Sequence, residues 1–312
     1  MNNDCPEPKA LNRRDRLIFG ALLAAALLLA FTRFADSKIP TGITAVHYAL
    51  ADGTKLTGYL SLPPEYQKGG RYPAIFLIHG WRGVSKNRPQ GLAESYLKQR
   101  VHQKYLCQQY VVFSGEYYAD YLGDSREFDS MSAALKTMAT LPQVDPQRIA
   151  VVGSSHGGFL ALMCMMKPAI QPKPKIGVDI CGVVDVAAWV KYLRAIKNKS
   201  ELLPGLRQFA FSKIPQAFGW PPDKDSVTKE NYARISVLTY VNYLQGPILI
   251  IHGDKDKQVP ISQAYMLRNA LQQENKHYEF LEVPTGRSDG HFIFLNSNVV
   301  WEKIDAFLKK YL

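Results

Sequence analysis

The chain has 312 residues, 46% hydrophobic and 21% charged, an ordinary globular composition with enough apolar material for one large domain or two small ones. Its net charge is +11, but the lysines and arginines are scattered and no basic run is interleaved with aromatics, which argues against nucleic-acid binding. The four cysteines, Cys5, Cys107, Cys164 and Cys181, contain no C-x-x-C pair, so no zinc site, redox pair or disulfide framework is expected.

Arg13, Arg14 and Arg16 precede an uncharged apolar run from Leu17 to Thr32, and Arg33 follows it. The run is short for a spanning helix of about 20 residues and slightly long for the apolar region of a signal peptide, about 7–15 residues. Residues 17–34 therefore read as a signal anchor, with a cleaved signal peptide as the alternative. No clean A-x-A site follows, which favours the anchor. The arginines place residues 1–16 in the cytoplasm. The domain beyond is then expected to be membrane-anchored in the periplasm or outside the cell, or secreted after cleavage. Residues 35–42 read as a linker, and 43–312 as the folded domain.

Ile43 to Leu50 and Lys55 to Leu62 alternate around Ala51-Asp52-Gly53-Thr54 and predict an antiparallel hairpin. Pro73 to His79 is a nearly continuous apolar run, the pattern of a central strand buried on both faces. A helix is predicted from Leu92 to Gln109, with His102 on its surface. A strand follows from Tyr110 to Ser114, then a tyrosine-rich loop from Gly115 to Ser125 and a helix from Phe128 to Leu141. Ile149 to Val152 is a short buried strand that enters Gly153-Ser154-Ser155-His156-Gly157-Gly158 and leaves into an apolar helix. Lys175 to Cys181 is a strand. Residues 185–245 are irregular and mostly helical, too long for an ordinary connection, and read as a cap insertion over the site. Gly246 to His252 and His277 to Val283 are strands, Ser262 to Gln273 and Asn298 to Tyr311 helices. Strands alternating with helices predict an α/β protein with a mainly parallel, eight-stranded sheet covered on both faces.

Gly153-Ser154-Ser155-His156-Gly157 has the strand–turn–helix context of a G-x-S-x-G nucleophile elbow, which predicts the α/β-hydrolase fold. Ser155 would be the nucleophile. A serine hydroxyl needs a general base, and that base needs an acceptor to fix its tautomer. In this fold the acid and then the histidine follow the serine. Of the seven histidines, His291 is the one on a loop after the last strand and downstream of a candidate acid. His156 follows Ser155 directly, so its side chain is expected to point away from the position of the base. Asp256, in the loop after the Gly246 to His252 strand, is the preferred acid. Asp254 reads as a turn cap, Asp185 is the runner-up, and Asp289 reads as a turn residue. The backbone amides of His156 and Trp81 are the expected oxyanion donors. Tyr117, Tyr118 and Tyr121 are candidates for an apolar or aromatic substrate pocket.

The motifs VDPQRIAVVGSSHGGFLAL and IHGDKDKQVP, with the late Gly290-His291, resemble α/β-hydrolases of the prolyl oligopeptidase type, including dipeptidyl- and acylaminoacyl-peptidases. The resemblance runs from about residue 43 to the end and implies the same roles for Ser155, Asp256 and His291. The strand-end sequence HGWRG is similar to esterase and dienelactone-hydrolase-like proteins. Those peptidases carry a β-propeller ahead of the catalytic domain. With the first strand placed at Ile43, the chain is expected to match the catalytic domain alone. The reading is therefore a serine hydrolase of carboxylic esters or amides, with a peptidase on short peptides as the alternative. No metal or cofactor is required. Besides a small-molecule or short-peptide substrate, the expected partner is the membrane, through the N-terminal segment, and no nucleic acid.

Overall fold

The computed structural model describes residues 42–80, 92–118, 120–196, 202–203, 205–286 and 289–312. Its strands are β1 (Thr44–Ala49), β2 (Lys55–Ser61), β3 (Tyr72–Ile78), β4 (Val111–Gly115), β5 (Val144–Ser154), β6 (Ile176–Ile180), β7 (Ile248–Gly253) and β8 (Tyr278–Val283). They form one eight-stranded sheet in the order β1-β2-β4-β3-β5-β6-β7-β8. The hairpin β1–β2 is antiparallel, and so is β2–β4; every pair from β4–β3 to β7–β8 is parallel.

The longer helices are α1 (Leu92–Leu97), α2 (Arg100–Tyr105), α3 (Ser125–Thr140), α4 (His156–Met166), α5 (Val186–Ala195), α6 (Ser226–Ala233), α7 (Ser262–Gln273) and α8 (Asn298–Tyr311). The continuous apolar runs of the central strands are explained by burial on both faces. On one face, Phe76, Phe113, Val151 and Ile250 pack with residues of α3, α4 and α7. On the other, Ile75, Leu77, Val112, Val152, Leu249 and Ile251 pack with Trp301, Ile304 and Phe307 of α8. The period-two alternation within each strand thus divides one apolar run between two cores.

The predicted helix over 92–109 is instead two short helices. Gln99 is extended (φ −60°, ψ 137°) and breaks the run. The break carries His102 inward, not to the surface. Its Nδ1 lies 2.6 Å from the Tyr96 carbonyl oxygen, and its ring meets Trp301 edge-on at 5.0 Å. Burial lowers the His102 pKa to about 4.

Between β6 and β7 the chain forms α5, then three consecutive turns, Leu206–Gln208, a π-helical Phe209–Lys213 and Ile214–Phe218, then α6 and a 3-10 turn at Val237–Tyr243. Cys107, Cys164 and Cys181 are buried and free. The anchor expected at 17–34 lies outside the described residues, as do residues 1–16 and the linker up to residue 41. Among the described residues, no helix is long and apolar enough to cross a membrane.

Candidate active site

β5 ends at Ser154 and α4 begins at His156, so Ser155 alone makes the turn between strand and helix. Its backbone sits at φ 56°, ψ −120°, a conformation that non-glycine residues rarely adopt. Two hydrogen bonds hold it there. The Ser155 amide donates to the Ile180 carbonyl at 2.8 Å, and the Phe159 amide donates to the Ser155 carbonyl at 3.1 Å. The flanking glycines are required by space. A Cβ on Gly157 would lie 2.2 Å from the Ile78 carbonyl oxygen, and one on Gly153 would lie 2.0 Å from the Gly157 carbonyl oxygen. Both obstacles are backbone, which cannot move aside as a side chain can.

The structure brings Ser155, His291 and Asp256 together from three strand ends. Nε2 of His291 lies 2.9 Å from Oγ of Ser155, and its Nδ1 lies 2.8 Å from Oδ2 of Asp256. Both His291 and Asp256 are buried. Oδ1 of Asp256 accepts the amides of Gln258 and Val259, each at 2.8 Å. Nε2 of His252 lies 3.3 Å from Oδ2 of the same carboxylate and 2.8 Å from the Val259 carbonyl oxygen. Burial by itself would raise the Asp256 pKa. The imidazoles of His291 and His252 outweigh it and hold the carboxyl well below the usual carboxylate range.

The other acids have different tasks. Asp254 accepts the Thr285 hydroxyl at 2.6 Å and the Thr285 amide at 2.9 Å, which lower its pKa and tie the loop after β7 to the loop after β8. Asp185 caps α5, accepting from the Ala188 amide at 2.9 Å. Asp289 accepts the His291 amide at 3.0 Å and so fixes the turn that presents the imidazole.

The side chain of His156 points away from the serine, into the protein, where Nε2 lies 2.7 Å from Oε1 of the wholly buried Glu127. Its backbone amide stands at the first residue of α4, beside Ser155. Trp81 lies outside the described residues. Its neighbour Gly80 does not, and a Cβ there would fall 3.6 Å from Cβ of Ser155. The chain just beyond β3 therefore lies close beside the serine.

A cavity opens beside Ser155 and His291. Leu122, Val183, Leu203, Leu206, Phe209 and Val259 give it apolar walls, with Trp189, His156 and Gln258 also lining it. Tyr117, Tyr118 and Tyr121 are not among the lining residues, which corrects the sequence expectation. Tyr117 is buried, with its hydroxyl donating to the His79 carbonyl at 3.0 Å and its ring stacked on that of His79. Arg126 lies over the Tyr118 ring at 3.5 Å, and Tyr121 packs edge-on against Phe218. Among the described residues of that loop, only Leu122, next to Tyr121, lines the cavity. Sequence reasoning missed Leu203, Leu206 and Phe209; the one available signal was their place in a segment too long to be a plain connection.

Among the described residues, Cys181, Asp256 and His291 hold possible metal-ligand atoms within 4.8 Å of one another. Those atoms are already engaged. Asp256 and His291 bind each other, and burial together with the Asp256 charge pushes the Cys181 thiol well above its ordinary pKa, so it stays protonated. The donor set suits proton transfer, not a cation.

A family model described as BD-FAE matches residues 60–271. The chain belongs to the BD-FAE family. Ser155 and Asp256 lie within the matched residues, and His291 reaches them from beyond. This BD-FAE chain is 26% identical over 239 residues to the uncharacterized peptidase YtmA of Bacillus subtilis, covering 74% of the chain and 80% of that protein. It is 25% identical over 283 residues to dipeptidyl-peptidase 5 of Porphyromonas gingivalis, covering 83% of the chain but only 37% of that protein. Among solved structures, it is similar to the Pyrococcus horikoshii acylaminoacyl peptidase (TM-score 0.62, 18% identity, 86% of this chain and 42% of that one). It is also similar to the esterase Est2 of Thermogutta terrifontis (TM-score 0.62, 16% identity, 88% of this chain and 91% of that one). The fold is that of the α/β-hydrolases, and the chain is an enzyme of their serine-hydrolase class.

Proposed function

We propose that this BD-FAE chain hydrolyses carboxylic esters of small apolar acids through a Ser155–His291–Asp256 triad and an acyl-enzyme intermediate. The observation that carries the reading is the unbroken hydrogen-bonded line from Ser155 Oγ through His291 to Asp256 at the mouth of an apolar cavity. In the first step Nε2 of His291 takes the Ser155 proton as Oγ bonds to the substrate carbonyl carbon. Asp256 holds the imidazole in the tautomer that leaves Nε2 free to accept, and it stabilises the imidazolium that forms. The amide of His156 and that of Trp81 are the proposed donors to the oxyanion. The closeness of Gly80 to Ser155 supports the second of these. The C–O bond to the leaving group then breaks, and His291 returns the proton to that oxygen. Water, deprotonated by His291, attacks the acyl carbon; the bond to Ser155 Oγ then breaks, His291 returns the proton to Oγ, and the acid leaves.

Amide hydrolysis is the second reading, favoured by the peptidase names of the relatives. Esters are preferred because the described lining beside Ser155 is largely apolar, which suits the acyl group of a simple ester. The test is a panel of p-nitrophenyl esters and aminoacyl anilides with the wild type and Ser155→Ala. Ester turnover lost in the variant supports the proposal; equal rates for the two proteins on every substrate contradict it. The proposal extends to the N-terminal run: its apolar character and flanking arginines support an anchor at residues 17–34 with the hydrolase across the membrane. The mass of the mature protein tests it, since a product beginning near residue 33 contradicts an anchor.

A further inference from the structure

Gln258 stands two residues beyond Asp256, is 2% exposed, and lines the cavity. Its backbone amide donates to Asp256 Oδ1 at 2.8 Å. Its side-chain Nε2 donates to Asp289 Oδ2 at 2.8 Å, and the other oxygen of Asp289 accepts the amides of His291 at 3.0 Å and Lys257 at 3.2 Å. Its side-chain Oε1 accepts the Leu203 amide at 2.8 Å, and its backbone carbonyl accepts the Trp189 indole N–H at 2.8 Å. One residue therefore joins the loop of the acid, the turn of the histidine, and two wall residues of the cavity that come from the segment between β6 and β7.

The chemistry of an amide explains why glutamine stands here. Nε2 can only donate and Oε1 can only accept. The carboxylate of Asp289 needs a donor, and the Leu203 amide needs an acceptor. The side chain satisfies both in one orientation, and flipping it would oppose two donors on one side and two acceptors on the other. An apolar residue of the same size would fill the space and make neither bond. Since both partners are buried or half-buried, a shift of Leu203 is transmitted through Gln258 to Asp289 and on to the His291 amide.

We propose that Gln258 is a positioning residue that couples the cavity wall to the His291 turn, so that an acyl group seated against Leu203 and Trp189 helps hold His291 in register with Ser155. This rests on the triad reading above. It deepens that reading by making catalysis depend on how well the acyl group fills the cavity.

The experiment compares the full chain with Gln258→Leu, Gln258→Glu and Asp289→Asn on p-nitrophenyl acetate, which leaves the wall untouched, and p-nitrophenyl hexanoate, which reaches it. Rates are taken per site labelled to completion by a fluorophosphonate, so unfolded protein does not count. Gln258→Leu breaks the bonds to Asp289 and Leu203; kcat is expected to fall about tenfold on acetate and about fiftyfold on hexanoate. Gln258→Glu keeps an acceptor for Leu203 but repels Asp289, which breaks the same joint, so it too is expected to lose more on hexanoate than on acetate. Asp289→Asn leaves an acceptor for the His291 amide but faces Gln258 with a second donor, and is expected to lose more on hexanoate than on acetate. If Gln258→Leu does not fold, Asp289→Asn decides. Equal losses on both esters in Gln258→Leu and in Asp289→Asn, or values within about twofold of the wild type, overturn the coupling. A Ser155→Ala enzyme as fast as the wild type would instead overturn the triad reading.

Discussion

Nδ1 of His291 lies 2.8 Å from Oδ2 of Asp256, while the other oxygen of that carboxylate is held by the amides of Gln258 and Val259. The carboxylate is thus oriented by its own loop before it orients the imidazole. A backbone-anchored acceptor of this kind fixes the proton on Nδ1 and leaves Nε2 to accept from Ser155.

Asp256→Asn should separate geometry from charge. The asparagine can still accept the two amides through its oxygen, but its NH2 then faces His291 and forces the proton onto Nε2. The expected result is a fall in kcat of about 10³–10⁴-fold at pH 7.5 with KM changed little. Steady-state kinetics on one p-nitrophenyl ester measure it, and a fall of less than tenfold would contradict the role given to the carboxylate.

Asp179 should make stability depend on pH. It is 1% exposed, its Oδ1 accepts the Gly182 amide at 2.9 Å, and burial, opposed by His252, raises its pKa to about 7. Between an unfolded value near 4 and this native value, the folded protein keeps a proton that the unfolded chain releases. Its contribution to stability therefore falls as pH rises from about 4 to about 7. Asp179→Asn keeps an acceptor for Gly182 and cannot ionise. Its Tm relative to the wild type should rise between pH 4.5 and pH 8; a difference independent of pH would count against this.

Glu127 links the elbow to the loop that reaches the cavity. Oε2 accepts the Gly123 amide at 2.9 Å, and Oε1 lies 2.7 Å from His156 Nε2. Both partners are buried, so Glu127→Ala leaves two polar groups without compensation and should cost about 3–5 kcal/mol, against about 1–3 kcal/mol for Glu127→Gln, which retains the acceptor for Gly123. Urea unfolding of the two variants checks the order.

The residues proposed for catalysis are more readable in the sequence than the walls of the cavity, and the reason is geometric. Ser155 directly follows the apolar run of β5, and Asp256 and His291 lie in the loops after β7 and β8, so the runs that betray buried strands also locate all three. The wall residues Leu203, Leu206 and Phe209 belong to a stretch without sustained periodicity, and their direction is decided by packing against distant residues. Tyr117 has the aromatic ring of a pocket residue, yet its hydroxyl is held by the His79 carbonyl, a partner that no local pattern reveals. The role of Gln258 is hidden for the same reason: its side-chain partners, Asp289 and Leu203, are 31 and 55 residues away. The run over 92–109 is broken at Gln99, whose extended backbone accompanies the packing of His102 on Trp301, a tertiary contact that no local pattern reveals.

Phe209 sits on the π-helical turn, is 2% exposed, and forms part of the cavity wall. Phe209→Ala should destabilise the protein by about 3–5 kcal/mol and leave a larger cavity. Where the variant folds, its preferred acyl chain should lengthen. A p-nitrophenyl ester series from acetate to octanoate measures this, and an unchanged optimum would place the acyl group elsewhere.

Ser155, activated by His291, is the proposed nucleophile. Labelling of the full chain with a fluorophosphonate, followed by peptide mass spectrometry, tests it most directly. The expected result is one adduct on the peptide containing Ser155, absent in Ser155→Ala and formed at least about 100-fold more slowly in His291→Ala. An adduct on another residue, or no adduct at all on the folded wild type, would contradict the account.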